Sequence, residues 1–318
     1  MAIERTLVNI YWSALERSIT GDIISMIRFI PGLDTQLEVI GADVYDLTVP
    51  LARDICKTLP RKQRGEKREI QNRFKEMLVS EVNYDRKKYN LKRAFNLVIE
   101  GENAVKIVSR LMGDIRFRNG TSILGRYGFF KQTTLGEILV TEFPASAPST
   151  VEEAEAQIDL IWKKYKACGG PLKNSIVYPY ELKDKVDYSV VIVKPNVFNN
   201  PHDPRLGDVI NSISRAGMYI IGAKVQSLTP EQAMEFYLPH KGKHFYDELV
   251  DFMSNKKSLA LLYEGVNARK EIRTAALSVV RDAYSDDILA NTVHTSETKE
   301  DFLREAAVVN FEVSELIS

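Results

Sequence analysis

Short apolar runs alternate with segments of helical periodicity along much of the chain. In the C-terminal half, Ser189–Val193 is a continuous, largely β-branched run, a pattern typical of a buried strand. Arg205–Arg215 instead places its apolar residues three and four positions apart, which predicts an amphipathic helix. Tyr219–Val225 and Leu259–Tyr263 return to the strand pattern. We therefore predict the order strand, helix, strand, helical segments, strand and helix.

Helix-start signals divide these segments. Pro230 directly follows Thr229, so we predict a helix there with the threonine as its N-cap. Thr298 opens the last helix, with Asp301 three residues on as the second member of a capping box. In the N-terminal half, Thr150 is expected to cap a helix that runs to about Lys166.

The two halves of the chain contain an internal repeat. Three pairs of segments match in the same order, and they are Gly21–Ile24 with Gly207–Ile210, Glu38–Thr48 with Tyr219–Thr229, and Val98–Ala104 with Leu262–Ala268. Collinear matches with similar apolar flanks indicate a duplicated domain, and the long period excludes a solenoid.

Strands separated by helices in each copy, with a central antiparallel pair, predict an α/β (α+β) fold. The expected architecture is two tandem ferredoxin-like βαββαβ sandwiches. We place the first domain at residues 1–167 and the second at 186–318. The intervening segment, 168–185, begins with a Cys-Gly-Gly-Pro sequence that ends the helical pattern, and it is expected to be a linker.

Composition narrows the class of protein. Apolar residues make up 44% and charged residues 27%, which suits globular domains, and the 43 basic residues equal the 43 acidic ones. The balance gives no overall field that would favour nucleic acid or a membrane. We see neither a signal peptide nor an apolar run long enough to span a bilayer, and Cys56 and Cys168 are the only cysteines. These features favour a cytoplasmic protein with free thiols.

One tract departs from this balance. From Arg53 to Arg93 there are 14 Lys or Arg residues against 6 Asp or Glu. We favour a solvated helix face, because few aromatic residues interrupt the charges. A surface for nucleic acid or an acidic partner is the less favoured alternative.

A candidate phosphoryl-transfer site lies in the second copy. His294 follows a short strand-like run, and Glu305 lies in the next predicted helix, where its carboxylate could fix the imidazole tautomer. Lys194 follows the first strand, and Arg273 and Arg281 lie on or after a later helical segment. A lone histidine is more often structural, and a lone cation is more often a surface charge. Together, however, they supply a nucleophile and the positive charge that a transferred phosphate needs.

The order of motifs in the second copy resembles the nucleoside diphosphate kinase family. The resemblance runs from about Asp187 to Phe311 and rests on the joint spacing of several motifs. The matching residues are Val191–Asn196 for a strand ending in Lys-Pro-Asp; Tyr237, Lys241, Lys243, Phe245, Leu249, Val250 and Met253 for the base-binding segment; Glu264, Gly265, Asn267, Lys270 and Arg273; Arg281; and Asn291–Glu297 with Glu305.

The resemblance implies a role for each of these side chains. His294 would carry the phosphoryl group, Glu305 would orient its ring, and Ser296 would hydrogen-bond near the transferred phosphate. Phe245 and Leu249 would sandwich the base. The side chains implied to hold phosphates and sugar are Lys194, Tyr237, Arg273, Arg281 and Asn291.

The implied reaction transfers the terminal phosphate of ATP to a nucleoside diphosphate, with Mg²⁺ bound to the nucleotide phosphates. The family's two-fold dimers further imply that the two copies form an internal pseudo-dimer, which could associate further. A non-catalytic nucleotide-binding or regulatory protein on the same scaffold is the alternative.

Departures from the family pattern in both copies bear on these alternatives. Asn196 and Thr295 replace an Asp and a Gly, and the chain before Arg281 is shorter than usual. In the first copy, Tyr11 stands at the lysine position, and aligning Ser146 with Ser296 places Pro144 opposite the histidine. We therefore expect the first copy to keep the scaffold without the chemistry.

Overall fold

A computed structural model describes most of the 318 residues as two compact units. The described residues are 3–30, 37–60, 71–79 without 73, 93–113, 120–132, 138–165, 172, 176, 178, 185–276 without 202 and 204, and 292–316 without 315. Unit 1 comprises Met1–Arg17, Ile30–Cys168 and Ser175–Val177, and unit 2 comprises Ser18–Phe29, Gly169–Asn174 and Tyr178–Ser318. The domain boundaries proposed from the sequence remain predictions.

The N-terminal half contains strands and helices in the predicted order. The strands are β1 (Ile3–Ile10), β2 (Glu38–Asp46), β3 (Arg93–Glu102), β4 (Phe129–Gln132), β5 (Ile138–Glu142) and β6 (Ala145–Ser146). The helices are α1 (Trp12–Glu16), α2 (Thr20–Arg28), α3 (Val49–Thr58), α4 (Ala104–Met112), α5 (Ile123–Tyr127) and α6 (Val151–Ile158). After α6 the helix continues as a π-helical turn, Asp159–Lys164, so it ends close to the expected Lys166.

The C-terminal half has a similar order. Its strands are β7 (Val186–Val193), β8 (Tyr219–Ser227), β9 (Lys257–Val266) and β10 (Val293–Thr295). Its helices are α7 (Pro195–Phe198), α8 (Arg205–Arg215), α9 (Pro230–Phe236), α10 (Tyr246–Met253), α11 (Ala268–Ala275) and α12 (Lys299–Val308).

Each unit is built on a four-stranded antiparallel sheet. The strand order is β2-β3-β1-β6 in unit 1 and β10-β7-β9-β8 in unit 2, so the first and third strands are central in both. In unit 2, β9 runs antiparallel to both β7 and β8. The predicted pair of ferredoxin-like sandwiches is confirmed, because this order is that of a βαββαβ unit.

The sequence repeat reappears as repeated backbone irregularities. A β-bulge interrupts the pairing between Val39 and Gly41 on β2, and another interrupts it between Ile220 and Gly222 on β8. Asn103 and Asn267, which precede α4 and α11, both adopt the left-handed conformation with φ of 54° and 53°. Non-glycine residues visit this region rarely, and asparagine does so most readily. The shared deviations support the duplication.

Local signals explain where the helices of unit 2 begin and what they bury. Thr229 is the predicted N-cap of α9, and Thr298 forms the predicted capping box of α12. Gln232 completes a capping box at Thr229 as well, so amide groups are satisfied at the first turns of both helices. In α8 the side chains buried against the core include Leu206, Val209, Ile210 and Ile213. Burying each such side chain contributes about 1.5–3 kcal/mol.

Helix α2 belongs to unit 2 although it is encoded in the first copy. Its Gly21 lies so close to Gly207 of α8 that a Cβ on Gly21 would stand 2.0 Å from the Gly207 carbonyl oxygen. The Gly21 N–H donates to Asn211 Oδ1 at 2.8 Å. The two helices therefore meet through backbone, and a side chain at either glycine would force them apart.

Parts of the linker also belong to unit 2. The Leu172 N–H donates to the Ile221 carbonyl at 2.8 Å, and the Tyr178 hydroxyl donates to Glu264 at 3.2 Å. Burial, together with the charge of Glu264, raises the pKa of Tyr178. Most of the predicted basic tract falls outside the described residues. Across the described helices, none has the length and apolar character needed to cross a membrane.

Candidate active site

His294 lies at the middle of the short strand β10. It pairs with Ile192 of β7, and the Lys194 N–H bonds to the Thr292 carbonyl at 3.1 Å just before the strand begins. The sequence placed the histidine directly after a strand-like run, which was wrong in detail, because the strand continues through His294 to Thr295. The predicted cap of the next helix, Thr298, is confirmed.

A chain of hydrogen bonds links the three residues that we expected at the catalytic centre. The His294 Nε2 atom lies 2.8 Å from Glu305 Oε1, and the Ser296 hydroxyl donates to Glu305 Oε2 at 2.6 Å. Glu305 is 1% exposed and Ser296 is 0% exposed. The Val190 N–H donates to the Ser296 oxygen at 3.1 Å, so the chain is anchored on β7. A buried carboxylate with a partner on each oxygen has little freedom to turn.

This geometry fixes the protonation pattern of the imidazole ring. A carboxylate oxygen only accepts hydrogen bonds, so the proton of neutral His294 lies on Nε2, where Glu305 Oε1 receives it. The Nδ1 atom then keeps its lone pair. The arrangement therefore presents Nδ1 as a nucleophile.

Two aromatic rings form a wall beside the imidazole. The ring centroid of Phe236 lies 4.9 Å from that of His294, and the centroid of Tyr237 lies 5.5 Å from it, both edge to face. Burial raises the pKa of Tyr237, and the charge of Glu305 adds to this. Phe236 was not among our candidate residues. Its place at the end of α9, next to Tyr237, was the available signal.

The cations predicted to hold phosphate differ in exposure. Lys194 is 3% exposed and is the N-cap residue of α7, directly after β7. Arg273 lies on α11 and forms an ion pair with Glu297 at 2.9 Å. Its side chain is 37% exposed and that of Glu297 is 61% exposed. Exposed pairs of this kind are worth about 0–1 kcal/mol, so a phosphate group could displace the carboxylate.

The predicted base-binding residues lie one helical turn apart. Phe245 is the N-cap of α10, and the Leu249 N–H donates to its carbonyl at 3.0 Å. Leu249 is buried, whereas Phe245 is partly exposed, with the Lys243 Nζ atom 5.7 Å from its ring centroid. His240 lies between this segment and the wall, since its ring stacks on Tyr237.

Two of the predicted site residues, Arg281 and Asn291, lie outside the described residues. One further cation near Glu305, Arg304, was not predicted from the sequence. Its Nη2 atom lies 3.8 Å from Glu305 Oε1 and 2.6 Å from Asp301 Oδ1. Adjacency to Glu305 in the sequence was the only signal for it.

The strand register corrects one comparison between the two copies. The Tyr11 N–H bonds to the Pro144 carbonyl, as the Lys194 N–H does to that of Thr292, and Ser146 pairs with Asn9 as His294 pairs with Ile192. Ser146, and not Pro144, therefore occupies the position of the histidine. Counting the same interval along α6 and α12 places Gln157 at the position of Glu305.

The equivalent region of unit 1 is filled by a network of polar and aromatic side chains. The Tyr11 and Ser146 hydroxyl oxygens lie 2.6 Å apart. Asn96 donates to Asn9 Oδ1 at 2.8 Å, and the Trp162 indole N–H donates to Asn96 Oδ1 at 3.3 Å.

We expect His240 to titrate below its ordinary pKa of 6.5. Burial lowers the pKa of His240, and the nearby positive charge of Lys243, at 3.0 Å from Nδ1, adds to this, as does that of Lys194, while Asp301 opposes them. As pH falls below 6.5, the unfolded chain takes up a proton that folded His240 resists, so stability is lost down to the folded pKa. Proton NMR titration of the His240 ring measures the midpoint.

The control compares two lysines near this ring. Lys243→Ala should move the His240 midpoint toward 6.5, whereas Lys241→Ala should move it less. A midpoint at or above 6.5 in the unmodified protein would contradict the prediction.

Comparisons with known proteins match the C-terminal part of the chain. A family model described as nucleoside diphosphate kinase matches residues 187–315. The nucleoside diphosphate kinase of Wigglesworthia glossinidia brevipalpis is 33% identical over 130 residues, covering 38% of this chain and 89% of that protein. The Chlorobium luteolum nucleoside diphosphate kinase is 36% identical over 130 residues, covering 38% of this chain and 91% of that protein. A crystal structure of the Aquifex aeolicus nucleoside diphosphate kinase shows 29% identity and a TM-score of 0.35, covering 39% of this chain and 95% of that one.

The matched segment contains Lys194, His294 and Glu305. The chain belongs to the nucleoside diphosphate kinase family, and it is an enzyme of that type.

Proposed function

We propose that the enzyme transfers the terminal phosphate of a nucleoside triphosphate to a nucleoside diphosphate by a ping-pong mechanism through His294. The Nδ1 lone pair attacks the γ-phosphorus of ATP, an N–P bond forms, and the P–O bond to the β-phosphate breaks, so that ADP leaves with the bonding electrons. A β-phosphate oxygen of the acceptor then attacks the phosphorus, and the N–P bond electrons return to Nδ1. The Nε2 proton remains on its nitrogen throughout.

Glu305 supports both half-reactions without exchanging a proton. The ring gains positive character as Nδ1 bonds to phosphorus, and the Glu305 carboxylate at 2.8 Å from Nε2 stabilises that charge. The buried hydroxyl of Ser296 holds the other carboxylate oxygen, at 2.6 Å. Neither the His294 ring nor the Glu305 carboxylate has to rotate during the reaction. The site is therefore already organised when the substrate binds.

The proposed nucleotide position follows from the surrounding groups. Lys194 is next to the strand that pairs with His294, and Arg273 forms an exposed ion pair with Glu297, so both are suited to phosphate oxygens. Phe245 and Leu249 offer an aromatic face and an apolar side chain for the base. We propose Tyr237, Arg281 and Asn291 as further contacts, as the family resemblance implies.

Mg²⁺ is proposed as the companion of the nucleotide phosphates. When bound, it would neutralise phosphate charge and help orient the chain of phosphates. Within the described parts of the chain, no group of three or more His, Cys, Asp or Glu residues could hold a metal ion. The cationic residues Lys194 and Arg273 suit phosphate oxygens, so the residues present fit a metal bound through the nucleotide.

The hydrogen-bonded chain from Ser296 through Glu305 to His294 is the observation that carries this proposal over a non-catalytic nucleotide-binding role. Incubation with radiolabelled ATP and Mg²⁺ tests it. We expect a phosphate on the protein that is labile to acid and stable to base, and that is discharged on addition of a nucleoside diphosphate. Failure to label a protein that binds nucleotide would favour the non-catalytic alternative.

We propose that unit 1 does not transfer phosphate. Tyr11, Ser146 and Gln157 occupy the positions that Lys194, His294 and Glu305 occupy in unit 2. The Ser146 hydroxyl is hydrogen-bonded to that of Tyr11, and Gln157 offers an uncharged amide, a far weaker base than the Glu305 carboxylate. We also propose a cytoplasmic location, as the cysteine content favours.

We further propose that the two copies form an internal pseudo-dimer, which could associate into larger oligomers. Unit 2 includes α2 from the first copy, with Gly21 against Gly207, which supports a structural need for that copy. We expect a fragment of residues 186–318, which lacks α2, to be less stable and less soluble than the full chain, because it exposes the covered face of α8. Thermal unfolding and sedimentation measure this.

A variant of the full chain separates the loss of the α2 contact from the loss of chain length. Gly21→Leu forces α2 away from α8 without shortening the chain, so it should lower stability as removal of α2 does. If the short fragment were a well-folded, soluble monomer with full activity, the pseudo-dimer proposal would be wrong.

A further inference from the structure

The segment that follows Lys194 is a very short helix. Helix α7 has only four residues, Pro195–Phe198, with Lys194 as its N-cap. The Lys194 carbonyl accepts hydrogen bonds from the Val197 and Phe198 amides at 3.1 and 2.9 Å. Isolated helices shorter than about 12 residues are marginal, so this turn needs outside contacts to keep its shape.

Arg28, the last residue of α2, supplies such contacts. Its Nη2 atom donates to the Phe198 and Asn200 carbonyls at 2.7 and 2.6 Å, and it lies 3.3 Å from the Val197 carbonyl. The Arg28 guanidinium also lies 5.8 Å from the centroid of the Phe198 ring. All of these residues belong to unit 2.

The contacts satisfy groups that a helix end leaves unpaired. The last carbonyls of a helix have no partner within the helix, and they carry partial negative charge. A guanidinium there both donates hydrogen bonds and neutralises that charge. Lys194 lies at the N-terminal end of the same short helix, and this residue is 3% exposed.

Arg28 itself is held in a buried position. It is 9% exposed, and burial lowers the pKa of Arg28 to about 10, while the charge of Asp203 opposes this shift. The guanidinium therefore remains protonated near neutral pH. Asp203 is bonded to Arg205 at 2.6 Å, so the surroundings of Arg28 are also fixed. Such a buried cation is expensive to desolvate unless its hydrogen bonds are made.

We propose that Arg28 is a positioning residue for phosphate binding, which holds helix α7 so that the Lys194 side chain meets the nucleotide. The proposal rests on the proposed function of Lys194. Arg28 does not touch the substrate. It acts through the carbonyls at the far end of α7. The first copy of the repeat would thus contribute to the chemistry of the second.

The test begins with Arg28→Met, which keeps an apolar stem and removes the donors. We expect an increase of about ten- to a hundredfold in KM for the nucleoside diphosphate, with a smaller change in kcat, because a small displacement of a binding group has effects of that size. Arg215→Met is the matched control. Arg215 lies on α8 and approaches Asp22 of α2 only at 4.0 Å, and it should leave KM unchanged.

A double-mutant cycle separates positioning from a general structural role. If Arg28 acts through Lys194, then Arg28→Met should add little to the KM increase of Lys194→Met. If Arg28→Met raised KM by the same factor in the unmodified protein and in the Lys194→Met variant, the proposal would be overturned. Arg28→Lys keeps the charge and one donor group, so partial recovery of KM is expected.

Two further measurements keep the result interpretable. If Arg28→Met unfolds, Arg28→Lys and Arg28→Gln take its place in the cycle, and normal KM in a folded Arg28→Gln protein would overturn the proposal. Binding of ADP by calorimetry is measured on each variant in parallel. If the unmodified protein binds ADP but transfers no phosphate, the proposed function fails, while the dependence of ADP affinity on Arg28 still decides the role of Arg28.

Discussion

Replacement of His294 by alanine is expected to abolish phosphorylation of the protein and to lower phosphate transfer by at least about a thousandfold. The reason is that the attacking atom is lost. Ser296, a neighbouring hydroxyl, cannot replace it, because it is 0% exposed and already donates to Glu305. The measurement is transfer from radiolabelled ATP to a second nucleoside diphosphate, together with labelling of the protein.

The control for this prediction is a second histidine substitution. His202→Ala changes a histidine of a turn-rich sequence that is not among the candidate site residues, and we expect it to leave transfer unchanged. ADP affinity measured by calorimetry shows whether the His294 variant still binds nucleotide. Substantial transfer by a folded His294→Ala protein would remove the basis of the proposed mechanism.

Glu305→Gln is expected to have the next largest effect, a loss of about ten- to a hundredfold in kcat. The amide that replaces the carboxylate has one oxygen and one NH₂ group. If the NH₂ group faces Nε2, then Nε2 must accept, and the ring proton moves to Nδ1, where it removes the nucleophilic lone pair. The reaction would then proceed only through the molecules whose amide is turned the other way.

Ser296→Ala is the comparison for this variant. It removes the hydroxyl that donates to Glu305 Oε2 but leaves the bond from Glu305 to His294, so we expect a smaller loss than for Glu305→Gln. The rate of single-turnover labelling from ATP reports the first half-reaction for both variants. Equal rates for Glu305→Gln and the unmodified protein would show that the carboxylate does not set the tautomer.

The fold could be predicted because the same local signals occur twice. The matching segments around Gly41 and Gly222 contain the same bulge, and those around Asn103 and Asn267 contain the same left-handed residue. Each signal is short and local, so a single sequence is enough to recognise it. Strand lengths were less accurate, since Leu259–Tyr263 was only the middle of β9. The ends of a strand depend on its neighbours in the sheet, which the sequence does not specify.

The candidate site residues could be predicted as a set, but the positions of the residues equivalent to them in the first copy could not. His294 and Glu305 are 11 residues apart, and a strand followed by a helix brings them together. The position of Ser146 was missed because serine was matched with serine. The strand pairing of Asn9 with Ser146 shows a shift of two residues. Chemical identity was a poorer guide than the hydrogen-bond register.

The contacts of Arg28 with helix α7 could not be predicted from the sequence. Its partner Phe198 is 170 residues away in the sequence, and neither residue lies in a recognisable motif. The Arg28 guanidinium binds backbone carbonyls. Every residue has a carbonyl, so the residue types of the partner segment do not indicate this contact. Contacts of this type are seen only in the three-dimensional structure.

The placement of the two tryptophans provides an optical label that distinguishes the units. Trp12 and Trp162 are the only tryptophans in the chain, and both pack against the same apolar cluster of unit 1. Fluorescence excited where tyrosine does not absorb therefore reports on unit 1, while far-ultraviolet circular dichroism reports on the helices and strands of both. A denaturant titration followed by both signals at once separates the melting of one repeat from that of the other, with no dye and no engineered residue.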